Sequence, residues 1–266
     1  MKRLLGTVAA VATLVLAAGC GSGDDNASGS GSASSPSASS GGVSGTVTVL
    51  AAASLTETFS TLGKQFEAAH AGTTVRFNFG ASSSLAENIN QGAPADVFAS
   101  ASPKNMQQVV DDGGAAGSKT FANNVMQIAV PPDNPGNVTQ LSDLARSDLK
   151  VALCQPQVPC GTVAAQVFTN ADITVKPVTQ GADVKAVLTT VQLGEVDAGV
   201  VYKTDVQAAG TRVKGIEIPA DQNASTSYPI AALSKAPNAA GAAAFVDYVL
   251  SDDGAKVLAQ AGFAAP

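Results

Sequence analysis

"VTVLAAASLTETF", residues 47–59, runs from apolar alternation through three alanines to a serine and then turns helical. Period-two alternation predicts a strand, and the spacing after it predicts a helix from about Leu55 to His70. A strand that runs at once into a helix is the repeating unit of α/β folds. The turn lacks phosphate-loop glycines and lysine, yet any helix start carries N–H groups with no intrahelical acceptor. Ser54-Leu55-Thr56-Glu57 fits the capping box, in which the serine oxygen takes one of those N–H groups and the glutamate reaches back.

The same unit recurs outward along the chain, which predicts an α/β fold with largely parallel strands. "TVRFNFG" (74–80) precedes a helix from about Ser84 to Gln91, and "ADVFASA" (95–101) precedes "PKNMQQVVDDG", where Pro103 suits a first helical position. Further strands are expected in "NVMQIAVPP" (124–132), "LKVALCQP" (149–156), "TVKPVT" (174–179), "EVDAGVVY" (195–202) and "SYPIAAL" (227–233). A helix is expected near 162–170. In 184–194, Val184, Val187, Leu188 and Val191 fall on one helical face. Terminal helices are expected within 239–263.

Four of these turns share one chemistry. In "FGASSSLAENI" (79–89), Ser84 and Glu87 repeat the capping box and leave the Ser82 and Ser83 hydroxyls ahead of the helix. "QVPCGTVAAQ" (157–166) enters a helix through Pro159, Cys160 and Gly161, and "TQGADVKAVL" (179–188) offers Gly181 and Asp183 just before another. Helix starts present free N–H donors and the positive end of the peptide dipoles. Several of them at the carboxyl edge of a sheet, with hydroxyls between, form a site for a compact anion without any basic side chain.

Before this body come Lys2, Arg3 and an apolar run from Leu4 to Ala18, the layout of an export signal over residues 1–19 and too short for a comfortable membrane span. The run ends in Leu16-Ala17-Ala18-Gly19-Cys20, which resembles a bacterial lipobox and implies lipid on Cys20 and a tether to the outer face of the cytoplasmic membrane. Residues 20–45 are then anchor and Gly/Ser tether, with a span of about 25–30 Å. Lys and Arg number fifteen against twenty-one Asp and Glu, and two of the fifteen are Lys2 and Arg3. An acidic body of this kind excludes nucleic acid, which needs clustered basic residues.

Cys154 and Cys160 remain after lipidation, and an exported chain predicts a disulfide between them. His70 is the sole histidine, at an expected helix end, and supports neither a zinc site nor a catalytic base. A serine hydrolase is the rival from another class, but "GASSS" lacks the second glycine of the nucleophile elbow.

"LAAASLTE", "GASSSLAENIN", "GAPADVFASA", "VPCG", "GADVKAVL" and "GVVY" together resemble the periplasmic molybdate-binding proteins of ABC importers, in order and approximate spacing, over nearly all of residues 46–265. The resemblance implies a two-lobed class II binding-protein fold, with one lobe at 46–123 plus 220–266, the other at 124–219, and ligand between them. It implies that molybdate or tungstate is held by the hydroxyls of Ser54, Ser82 and Tyr202 and the backbone N–H groups of Cys160 and Val184. Molybdenum is then bound only as its oxyanion, with no direct side-chain ligand and no cofactor. A monomer that delivers the ion to a membrane permease is implied as well. Another small anion, sulfate or phosphate, is the alternative. Cys160 stands where alanine is more usual, and Asp96 reads as a structural hydrogen-bonder.

Overall fold

The computed structural model describes residues 43–266. The export signal, Cys20 and most of the tether lie outside the described residues. Val43 already belongs to the body, since its carbonyl accepts from Thr73 Oγ1 at 2.9 Å.

β1 (Gly45–Ala52) passes through one 3-10 turn, Ala53–Leu55, into α1 (Thr56–Ala69), and β2 (Thr73–Gly80) leads into α2 (Ser82–Asn90). β3 (Val97–Ala99) and α3 (Pro103–Asp111) follow, with Ser102 as a true cap that accepts from Asn105 N and Pro103 in the first turn. After β4 (Lys119–Val130) come β5 (Val151–Cys154), α4 (Pro159–Asn170), β6 (Thr179–Gly181), α5 (Val184–Gln192), β7 (Ala198–Tyr202) and α6 (Lys203–Ala209). β8 (Lys214–Glu217), β9 (Ser225–Ala232), α7 (Ala239–Leu250) and α8 (Asp252–Gln260) complete the chain.

The strands run in the order β2-β1-β3-β9-β4-β7-β5-β6, with β8 against β4. β1 is parallel to β2 and β3, and β5 is parallel to β6 and β7. The middle is antiparallel, which corrects the expectation of a largely parallel sheet: β9 pairs that way with β3 and β4, and β4 with β7 and β8. One twelve-residue strand causes this. The first half of β4 pairs with β9 through Val125, and its second half, from Met126, pairs with β7.

Two main cores sit on either side of that crossing, which makes the fold two-lobed α/β. One holds Val47, Val49, Phe59, Phe66 and Phe245, and its ring pairs lie at 6.1 Å (Phe59–Phe245) and 5.3 Å (Phe66–Phe245). The other gathers Met126, Val151, Val187, Val191 and Val200. A smaller cluster under α2 and α3 includes Leu50, Leu85 and Phe98. Each of these large side chains contributes about 1.5–3 kcal/mol on burial, so both lobes can hold their strand ends rigid. The described residues nevertheless belong to one compact unit.

Three local expectations shift. α2 opens at Ser82, not Ser84, and α4 at Pro159, so the residues thought to precede these helices form their first turns. "TVKPVT" contributes only its last residue to β6. Pro177 has no N–H to offer a strand ladder.

Candidate functional site

The carboxyl ends of β1, β2, β5 and β6 each feed a helix or 3-10 turn, and these four starts meet. Ala52, Ala53 and Ser54, Gly80 to Ser82, Val158 to Cys160, and Asp183 with Val184 line a single cavity, to which Ala101 and Tyr202 also contribute. The space is about 10 Å³, on the scale of one water molecule. All five residues expected to hold an anion are among its walls.

Ser54 does not cap α1. The chain tightens into the 3-10 turn first, Leu55 takes the cap position without a side-chain bond, and Ser54 is turned inward and buried. Its Oγ lies 2.8 Å from the Tyr228 hydroxyl. Tyr228 in turn sits 3.5 Å from Asn124 Nδ2, which also donates to Thr204 Oγ1 at 2.8 Å. An amide N–H can only donate, so Tyr228 accepts from Asn124, while in the contact with Ser54 either hydroxyl can be the donor. With Tyr228 as that donor, the Ser54 O–H is available to the cavity that Ser54 lines. Ser82 reaches the same state by a shorter route: its Oγ accepts from Ala101 N at 2.9 Å, and its O–H stays free. Tyr228, Asn124 and Thr204 carried no local sequence signal, because their partners lie far along the chain.

Cys160 and Val184 bring helix-start backbone to the cavity wall. Cys160 is the second residue of α4 and Val184 the first of α5, so neither N–H has an intrahelical acceptor. Asp183 spends its carboxylate on the cap, accepting from Ala186 N at 3.0 Å. Cys154 and Cys160 are joined in a disulfide that ties the end of β5 to the first turn of α4. Tyr202, at the end of β7, is fully buried, and among the described residues its hydroxyl has no hydrogen-bond partner. Burial pushes this phenol well above its ordinary pKa, with Tyr228 and Asp205 adding to the shift, so it remains a donor.

Behind Tyr202 lies a charged cluster. Asp205 Oδ2 accepts from Tyr202 N at 3.2 Å, and Oδ1 makes an ion-pair contact of 2.9 Å with Lys185 Nζ, short in distance but not aligned as a hydrogen bond. Lys185 also meets Glu57 Oε2 at 2.7 Å. Burial raises the Asp205 carboxyl to about 6, against the opposing pull of Lys185. Desolvation works against the Lys185 charge, but Asp205 and Glu57 outweigh it and its pKa rises. Glu57 therefore serves Lys185 rather than the expected capping box.

Among the described residues no lysine or arginine lines the cavity. Among the described residues no cluster of His, Cys, Asp and Glu is suited to a metal ion. His70 caps the end of α1, stacked on Phe66 at 4.2 Å, with Nδ1 3.0 Å from the Phe66 carbonyl. It is thus half-buried against the core rather than free in solvent. Asp96 is buried and accepts from Thr48 N at 2.7 Å and Asn238 N at 2.6 Å, the structural role expected. Ser147 and Lys150 match a Ser-x-x-Lys spacing, but both are exposed in a turn outside the cavity. What the cavity can do chemically is donate hydrogen bonds from the hydroxyls of Ser54, Ser82 and Tyr202 and from helix-start N–H groups.

A family model described as bacterial extracellular solute-binding protein matches residues 47–264. The molybdate-binding protein ModA of Mycobacterium tuberculosis (strain ATCC 25618 / H37Rv) is 39% identical over 222 residues, which span 83% of this chain and 85% of that protein. Among solved structures, the Azotobacter vinelandii periplasmic molybdate-binding protein is similar in fold, with a TM-score of 0.74 at 20% identity, covering 83% of this chain and 99% of the other. The sulfate-binding protein SubI of M. tuberculosis is similar to the same degree, with a TM-score of 0.73 at 20% identity over 82% of this chain and 86% of its own.

Proposed function

The chain belongs to the bacterial extracellular solute-binding proteins, and from that premise we propose that it captures molybdate, with tungstate as a second ligand, for the permease of an ABC importer. It is a binding protein and not an enzyme. One observation carries the reading: residues from four separate helix starts, together with the hydroxyl-bearing Ser54, Ser82 and Tyr202, line one small cavity that no basic side chain among the described residues enters. Burying a dianion is costly unless each oxygen is hydrogen-bonded. Ser54, Ser82 and Tyr202 through O–H, and Cys160 and Val184 through N–H, supply five donors, which favours a fully deprotonated oxyanion.

The ion bridges the lobe of residues 46–123 and 220–266 to the lobe of 124–219 and favours the closed form by its differential affinity. A lipid on Cys20 and the tether of residues 20–45 keep the monomer at the outer face of the cytoplasmic membrane, within reach of the permease. Cys160 in place of the usual alanine leaves the N–H donor intact.

A titration followed by melting temperature tests the assignment. Ligand at about a hundred times its dissociation constant adds about 2.7 kcal/mol, or about 5–10 °C for a body of this size. Molybdate and tungstate raise the melting temperature by that amount, and sulfate and phosphate do not. Equal shifts from all four anions sink the choice of ion, and no shift from any sinks the capture function.

A further inference from the structure

Lys185 does not itself line the cavity, yet its ion pair with Glu57 is the only one among the described residues that joins the two main cores. Glu57 stands in the first turn of α1, which packs with the phenylalanine core, and Lys185 stands in the first turn of α5, which packs with the valine core. Both lie close to site residues in the chain: Glu57 three residues after Ser54, Lys185 directly after Val184. Asp205, which holds Lys185 from within its own lobe, also accepts from the backbone N–H of Tyr202.

We propose that Lys185 and Glu57 form an electrostatic latch that is completed only when the cleft closes, and that sets how long the ion is retained. The inference rests on the binding role proposed above. Its physical logic is a difference between two states. Within one lobe, buried Asp205 holds the lysine in place whether the cleft is open or shut. Glu57 comes from the other lobe, half its side chain is exposed, and in an open cleft water solvates it. The movement that brings Ser54 beside Val184 is the same one that brings Glu57 to Lys185, so the pair adds an interaction to the closed form alone. Nearby, Gln207 Nε2 donates to Gln260 O at 2.7 Å across α6 and α8, a neutral contact that salt does not screen.

The sign of the effect separates a latch from a simple field. Glu57 is a carboxylate near an anion site, so removing its charge without any latch tightens binding and slows release. With a latch, removing it loosens the closed form and speeds release. Half-exposed pairs of this kind change equilibria by about two- to fivefold, and such changes fall mainly on the release rate.

The test loads wild-type protein and Glu57→Gln with radiolabelled molybdate and chases with unlabelled molybdate. The expected result is release about two- to fivefold faster in Glu57→Gln, an unchanged association rate, and a ratio that falls toward one as added salt screens the pair. Release at the wild-type rate, or slower, overturns the latch while leaving the binding role standing. Wild-type protein that retains no label overturns both.

Discussion

Replacing Tyr202 with phenylalanine removes one oxygen from the wall of the cavity and leaves the ring in place. In the structure that oxygen is fully buried with no partner, a state that costs about 1–3 kcal/mol. The same oxygen donating to an anion contributes about 1.5–3 kcal/mol, which corresponds to about 10- to 150-fold in affinity. Tyr202→Phe therefore acts with opposite signs on two measurements. Without ligand, its melting temperature stays level or rises, by about 2–4 °C for each kcal/mol gained. With molybdate, affinity measured by calorimetric titration falls by at least tenfold, because one oxygen of the ion loses its donor. A ring with a purely structural hydroxyl gives another pattern: a lower melting temperature without ligand and an unchanged dissociation constant. That pattern refutes the reasoning for Tyr202.

Two further perturbations probe the backbone donors and the charge behind the site. In Gly161→Ala the new Cβ runs into the Gln155 carbonyl, which is backbone and cannot rotate away, so the first turn of α4 must shift and carry Cys160 with it. A loss of about 1–3 kcal/mol in stability and at least a tenfold loss of molybdate affinity are expected, and intact binding in a destabilised protein contradicts the role of that turn. Asp205 is raised by burial from 3.8 to about 6, Lys185 opposing. Its native form thus holds the proton more tightly than the unfolded chain does. The stability this contributes is full below 3.8 and lost as pH rises through about 6, a change on the order of 2–3 kcal/mol. Relative to Asp205→Asn, the melting temperature of the wild type falls across that window, whereas parallel curves contradict it.

The parts of the fold that follow from short-range patterning were legible in the sequence. Alternation in β1 and β2, Pro103 at the start of α3 and the one-sided face of α5 are all fixed within a few residues, and each lies where the pattern puts it. β4 was legible only in its second half, because its first half is partly exposed and reads as polar. Its antiparallel pairing with β9 joins segments about a hundred residues apart, which no local period reports. The serines misled for a related reason. Ser54 and Ser84 spell capping boxes, but burial of Ser54 against Tyr228 and of Ser82 against Ala101 fixes where those turns begin. The five site positions came from family resemblance and were placed on one cavity by the fold. The relay through Asn124 and Tyr228 and the ion pair from Glu57 to Lys185 are products of tertiary contact, invisible to spacing.

Diffraction at the molybdenum absorption edge, from crystals of the soluble body grown with molybdate, tests the central claim most directly. A single anomalous peak enclosed by Ser54, Ser82, Cys160, Val184 and Tyr202, with no lysine or arginine in contact, is the predicted result. A peak seated on basic side chains elsewhere, or no peak in that cavity at saturating molybdate, contradicts it.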